Sequence, residues 1–147
     1  VLAGYETEYM DGHPRDFIAT HGLTNLEWLG GVTGAAKLDL LRRSDVFVLP
    51  VSNPTEGIPI ALLEAMHFGL PLVTTQAGGL GDLVVDGANG FVVPPDDPAA
   101  LLAAVERLTD PATYARVSAH NVAEARARFT GPAHGAAVLA VLDAAAG

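Results

Sequence analysis

The sequence predicts a doubly wound parallel α/β sheet on three grounds. Strand-like apolar runs alternate with helix-like segments along most of the chain. The run Leu70–Thr74 is apolar almost throughout, as a strand buried on both faces should be. Helix starts and stops are written in turn chemistry: Asp97-Pro98 and Asp110-Pro111 open helices, and Gly22 and Gly69 close them. With 147 residues the chain can bury the core of one domain. Residues 1–147 read as a single, partial domain. The start without methionine, in the middle of a strand pattern, suggests a fragment of a longer protein.

In chain order, Val1-Leu2-Ala3-Gly4 reads as the end of a strand. Asp11 to His21 reads as a modest helix, with Pro14 in its first turn and Phe17 and Ile18 turned inward. Leu26-Glu27-Trp28-Leu29 alternates as a short strand should, and Gly30-Gly31-Val32 forms its exit loop. Thr33 is a good N-cap for a helix to about Arg43, with Leu38, Leu40 and Leu41 on its apolar side. Val46-Phe47-Val48-Leu49 is the next strand, and a helix ending before Gly69 follows its loop. After the strand Leu70–Thr74 come a glycine-rich exit loop and a short helix, about Leu80 to Val85. Asp86-Gly87-Ala88-Asn89-Gly90 is a turn by composition, leading into the strand Phe91-Val92-Val93. The helix from Pro98 to about Leu108 carries Leu101, Leu102, Val105 and Leu108 as its apolar stripe. Two more helices run to about Arg128 and, after Gly131-Pro132, toward Ala146.

The chain is organised around Thr55-Glu56-Gly57-Ile58-Pro59-Ile60-Ala61-Leu62-Leu63-Glu64-Ala65-Met66. This stretch reads as the loop and helix that follow a parallel strand, the place where open α/β sheets bind ligands. Pro59 suits the first helical position, where its missing N–H costs nothing. The N–H groups of the first turn, that of Ile60 among them, favour an anion such as phosphate. Glu56 lies in the loop before the helix, and Glu64 lies five residues into it. Each carboxylate can accept hydroxyl hydrogens on one side of such a phosphate. A phosphate flanked by two polyols is a nucleotide sugar. Glu64 has Ala61 and Phe68 as helical neighbours at spacings of three and four, so its carboxylate sits on a small or apolar face and needs a partner.

These residues resemble a known family. Glu56-Gly57-Ile58-Pro59, Leu62-Leu63-Glu64-Ala65-Met66 and Gly69-Leu70-Pro71 together resemble the E-x7-E region of the retaining "group 1" glycosyltransferases of the GT-B fold. The likeness runs along almost the whole chain. It includes Ser44–Pro50, Gly78-Gly79 and Asp86-Gly87-Ala88-Asn89-Gly90-Phe91-Val92-Val93-Pro94. It implies the Rossmann-like C-terminal half of a GT-B fold. The half's first strand-helix unit would be missing, along with the Arg and Lys that the family keeps there for the diphosphate. It also implies roles. Glu56 would contact the donor sugar and Glu64 would hold the ribose hydroxyls, with Gly57, Ile58, Pro59 and Ile60 around the phosphates. Val32 would line the nucleobase through its main chain, against the alternative of ordinary packing. Lys37 would stand on the base or phosphate side, against the alternative of a solvated helix lysine. Where the family often has an acid, a proline and a Glu, this chain has Gln76, Gly81 and Asp82, so no donor contact is carried over to that loop.

Composition closes off other classes. The formal net charge is −9, which argues against nucleic acid and anionic membranes as partners. The chain has no cysteine, so disulfides, thiolate nucleophiles and Cys-ligated zinc are excluded. That usage fits a reducing compartment, and the expected location is cytoplasmic. His13, His21, His67, His120 and His134 show no ligand spacing, and Asp96-Asp97 reads as a helix cap, so no metal is expected. The metal-independent habit of GT-B enzymes agrees. No cofactor is expected beyond the nucleoside diphosphate sugar itself. Gly78-Gly79-Leu80-Gly81 lacks the G-x-G-x-x-G spacing and reads as a tight turn, which disfavours an NAD-binding domain. The leading expectation is the donor-binding part of a retaining glycosyltransferase, inactive by itself. Its acceptor hydroxyl, and any peripheral membrane contact, would be met through the missing N-terminal domain. The alternative is a non-catalytic nucleotide- or sugar-binding module of the same fold.

Overall fold

A computed structural model describes residues 1–4, 13–51 and 57–146. The chain falls into two compact units, Val1–Arg42 and Arg43–Gly147.

In the first unit the two expected strands are reduced to a parallel bridge between Leu2 and Trp28. The Leu2 N–H donates to the Glu27 carbonyl at 2.7 Å and the Leu29 N–H to that of Leu2 at 2.9 Å. Helix α1 spans Pro14–Thr20, shorter than the expected helix from Asp11. His13 stops it from starting earlier, because its ring Nδ1 accepts the Arg15 N–H at 3.0 Å and so caps the helix. Residues 11 and 12 lie outside the described residues. Phe17 does not turn inward: it is 57% exposed and stacks on His21, one turn along, at 4.1 Å between ring centroids. Helix α2 spans Gly34–Arg42 and buries Leu41, whereas Leu38 is exposed rather than part of an inner stripe.

The second unit holds a three-stranded parallel sheet in the order β1 (Phe47–Leu49), β2 (Leu72–Thr75), β3 (Gly90–Val93). Helix α3 (Ile60–His67) connects β1 to β2. The segment from β2 to β3 holds a short 3₁₀ helix, Gly78–Asp82, which starts earlier than the short helix expected at about Leu80 to Val85. Helices α4 (Pro98–Arg107), α5 (Pro111–Arg128) and α6 (Gly131–Ala146) follow. Val73, Phe91 and Val93 pack with Ala104 and Leu108 of the α4 segment. Strand side chains alternate between faces, so Leu72 turns to the other layer, where α3 packs on β2 and on α5. Helices therefore cover both faces, as a parallel sheet requires.

The α4 stripe differs from its expected membership. Leu101, Ala104, Val105 and Leu108 form it, at helical spacings of three and four, and Leu102 points out at 59% exposure. Asp97 and Asp110 cap α4 and α5 as expected, accepting the N–H of Ala100 and of Thr113, each at 2.9 Å. Asp110 has its carboxyl held below the usual carboxylate range, first by the Thr113 hydroxyl and then by backbone N–H groups.

Two buried asparagines fasten the turn before β3 to α5. Asn121 of α5 donates to the carbonyls of Leu70 (2.8 Å) and Asn89 (2.9 Å). Asn89 accepts the Val85 N–H and donates to the Leu83 carbonyl at 2.7 Å. Gly90 opens β3 where only glycine fits, since a Cβ there would stand 1.9 Å from the Leu72 carbonyl oxygen. Among the described residues no helix is long and apolar enough to cross a membrane.

Candidate functional site

The carboxyl ends of β1 and β2 give rise to the segments that carry the candidate site. Leaving β1, Pro50 has no N–H with which to continue the ladder. Thr75, the last residue of β2, takes over: its hydroxyl accepts the Val51 N–H at 2.8 Å and donates to the Val51 carbonyl. One residue earlier, the Thr74 hydroxyl donates to the Leu49 carbonyl at 2.7 Å. The chain is described again from Gly57. There Gly79, in the turn after β2, packs so closely that a Cβ on it would lie 3.4 Å from Ile58 and 3.6 Å from the Gly57 carbonyl carbon.

Pro59 then serves as the N-cap of α3, with φ −66° and ψ 130°, and Ile60 is the first helical residue. The expected helix start is thus displaced by one residue. The reason is local: the extended ψ at Pro59 lets its carbonyl accept the Leu62 N–H at 3.0 Å while its own missing N–H lies outside the helix. Ile60 is 72% exposed and Ile58 43%, so this helix start faces open space. Glu64 is half-buried on the second turn, about 6 Å along the axis from Ile60 at 1.5 Å per residue. Its neighbours Leu62, Ala65 and Met66 are buried, and the turn ends at Gly69 with φ +73°. His67 ties the far end of α3 to the Phe129 carbonyl at 3.0 Å.

Gly57, Ile58, Pro59, Ile60 and Glu64 therefore share one strand-to-helix connection of the second unit. Val32 and Lys37 belong to the first unit, Val32 half-buried before α2 and Lys37 half-buried within it. Glu56 lies outside the described residues. A cleft of about 410 Å³ also opens at the carboxyl ends of the strands, lined by Pro50, Thr75, Val93, Pro94, Asp96 and Asp97 among others. It lies on the α4 side and includes none of the expected site residues. Among the described residues no group of three or more His, Cys, Asp or Glu comes together that could hold a metal ion.

Three arginines of α4 and α5 are engaged by the protein itself. Arg107 lies 3.8 Å over the Phe91 ring, Arg116 donates to the Gly87 carbonyl, and Arg128 pairs with Glu124. What sequence reasoning missed is the grip of Thr75 on Val51. Its signal was a threonine pair closing an apolar strand, opposite a proline that breaks the neighbouring ladder.

This arrangement, a parallel sheet whose strand exits lead into a helix start with a carboxylate one turn on, is the Rossmann-like half of a GT-B glycosyltransferase fold. Residues 1–110 match the family described as glycosyl transferases group 1, and the chain belongs to that family. It is 36% identical over 111 residues to the D-rhamnosyltransferase WbpZ of Pseudomonas aeruginosa, covering 75% of this chain and 29% of that protein. It is 46% identical over 68 residues to a colanic acid biosynthesis glycosyltransferase, WcaL, of Salmonella typhimurium, covering 44% of this chain and 17% of that one. The chain thus matches less than a third of the length of these relatives. The crystal structure of HepE from Anabaena, solved with UDP and glucose, superposes with a TM-score of 0.73 at 25% identity. That match covers 88% of this chain and 35% of HepE.

Proposed function

We propose that this chain is the donor-binding part of a retaining glycosyltransferase, one that moves a sugar from a nucleoside diphosphate to an acceptor hydroxyl. The observation that carries the reading is Glu64, a half-buried carboxylate one turn into a helix that starts, exposed, after a parallel strand of a family fold. The N–H groups that open α3 receive the phosphates and ease departure of the diphosphate as charge builds on it. Glu64 accepts the ribose hydroxyls and Glu56 faces the sugar. The main chain at Val32 lines the base, and Lys37 stands on the base or phosphate side. The transfer uses no metal and no cofactor beyond the donor. The acceptor hydroxyl is brought by a further domain of the whole protein, which acts in the cytoplasm. The complex of HepE with UDP and glucose supports a nucleotide-sugar donor.

The test is an assay of the whole protein with a panel of nucleotide sugars, following nucleoside diphosphate release with and without acceptors. Product NMR then reads the anomeric configuration. Release that depends on acceptor, with the donor's configuration kept, is the expected result. An inverted product overturns the retaining mechanism. Binding without turnover would favour a non-catalytic module of the same fold. The engagement of Arg107, Arg116 and Arg128 within the protein is the observation on that side.

A further inference from the structure

A second cleft opens at the amino end of β1, away from the carboxyl ends that carry the candidate donor site. It holds about 450 Å³, within the roughly 300–1,000 Å³ of small-ligand sites. All the described residues that line it belong to the second unit. Its floor is continuous with the core: Leu108 is part of the cluster around Phe91, and Val46 and Val105 pack against that cluster. The polar features are few and of one sign. Asp45 is exposed at the edge, next to Val46, and among the described residues its carboxylate takes no ion pair. Tyr114 of α5 presents a half-buried ring. Burial first, and then the charge of Asp45, hold its phenol above the ordinary value, so the ring is neutral and lies within the field of the carboxylate. Helix α4 ends here, at its C-cap Leu108, and a helix carries partial negative charge at its end. The opposite partial charge at the start of α5 is met by the Asp110 cap. Among the described residues no lysine or arginine lines the cleft; Arg107, in the last turn of α4, lies over Phe91 instead.

We propose that this cleft binds a small organic cation, an ammonium or guanidinium head on an apolar body. The body covers Val46, Val105 and Leu108. The head sits between the Asp45 carboxylate and the Tyr114 ring, whose negative face adds to the attraction. None of these residues belongs to the donor site, so the proposal stands apart from the reading as a sugar transferase. The whole protein, with its valine and leucine methyl groups labelled, is titrated with benzyltrimethylammonium and followed by NMR. Saturable shifts of the Val46, Val105 and Leu108 methyls are expected. Benzenesulfonate, of like size and opposite charge, should not produce them. Asp45→Asn, an exposed change that keeps the side chain's shape, should weaken the affinity about three- to fivefold with the melting temperature unchanged. Tyr114→Leu should weaken it about two- to fivefold, whereas Tyr114→Phe, which keeps the ring, should bind as the wild type does. Equal affinity in Asp45→Asn, or equal binding of benzenesulfonate, overturns the proposal. Methyls that shift with protein concentration alone show a second copy in the cleft, and methyls that nothing moves show another part of the whole protein there; either result overturns it.

Discussion

Glu64 is the residue on which the proposed nucleotide-sugar site can be probed with one substitution. It stands among the buried Leu62, Ala65 and Met66, where a carboxylate makes stronger hydrogen bonds than at an open surface. Truncation by Glu64→Ala should weaken nucleotide-sugar binding by about 1–3 kcal/mol, the usual loss for charge-assisted bonds. Titration calorimetry with the nucleotide alone reads this directly. Glu56→Ala should lower turnover more than nucleotide affinity, because the proposed partner of Glu56 is the sugar. Gly90 carries a different kind of weight. A methyl group there meets the Leu72 carbonyl at 1.9 Å, and backbone on backbone has no side chain to move aside. Gly90→Ala should therefore cost about 3 kcal/mol or more, the upper range for overpacking, measured by urea unfolding.

Elements are joined here by capping acids and buried amides as much as by apolar faces. Asn121→Ala removes two bonds from α5 to the carbonyls of Leu70 and Asn89, of which the Asn89 carbonyl keeps the Leu72 N–H at 3.2 Å. The expected loss is about 1–3 kcal/mol, seen in denaturant unfolding with the slope unchanged. Asp110 gives the cap of α5 a pH dependence. Its folded pKa lies below the ordinary value of 3.8, so the unfolded chain binds its proton first as pH falls. The charged cap's stabilisation is full above the unfolded value and is lost as pH drops through the folded one. The melting-temperature gap between wild type and Asp110→Asn should thus shrink over that window. These caps were legible in the sequence, because Asp-Pro is a local signal that tertiary contacts seldom override. The parallel sheet was legible too, from apolar runs between glycine and proline stops. Phe17 and Leu102 were not. Hydrophobicity says that a side chain favours burial, but which side of a helix meets the sheet depends on one residue of phase. Thr75 was hidden for a related reason: its partner, Val51, is distant in the chain, and the threonine pair and the proline do not by themselves say which residue is held.

Taken as a whole, the chain is expected to bind a nucleotide without turnover. Transfer needs an acceptor held in near-attack geometry, a cation pair for the leaving diphosphate and a second wall to exclude water. The arginines of α4 and α5 described above are committed to Phe91, Gly87 and Glu124. The purified chain should bind nucleotide in the millimolar range, about −4 kcal/mol, and release no nucleoside diphosphate from a panel of donors. Turnover near the common enzyme range of roughly 1–1000 per second would show that these residues suffice for catalysis. Saturation-transfer NMR shows whether the start of α3 and Glu64 hold a nucleotide sugar. UDP, GDP, ADP and NAD are each presented to this chain and to its Glu64→Ala variant. Saturation of at least one of the three nucleoside diphosphates, lost or much reduced in the variant, and none of NAD, is the expected result. Saturation of NAD alone, or of a nucleoside diphosphate equally in both proteins, would contradict it.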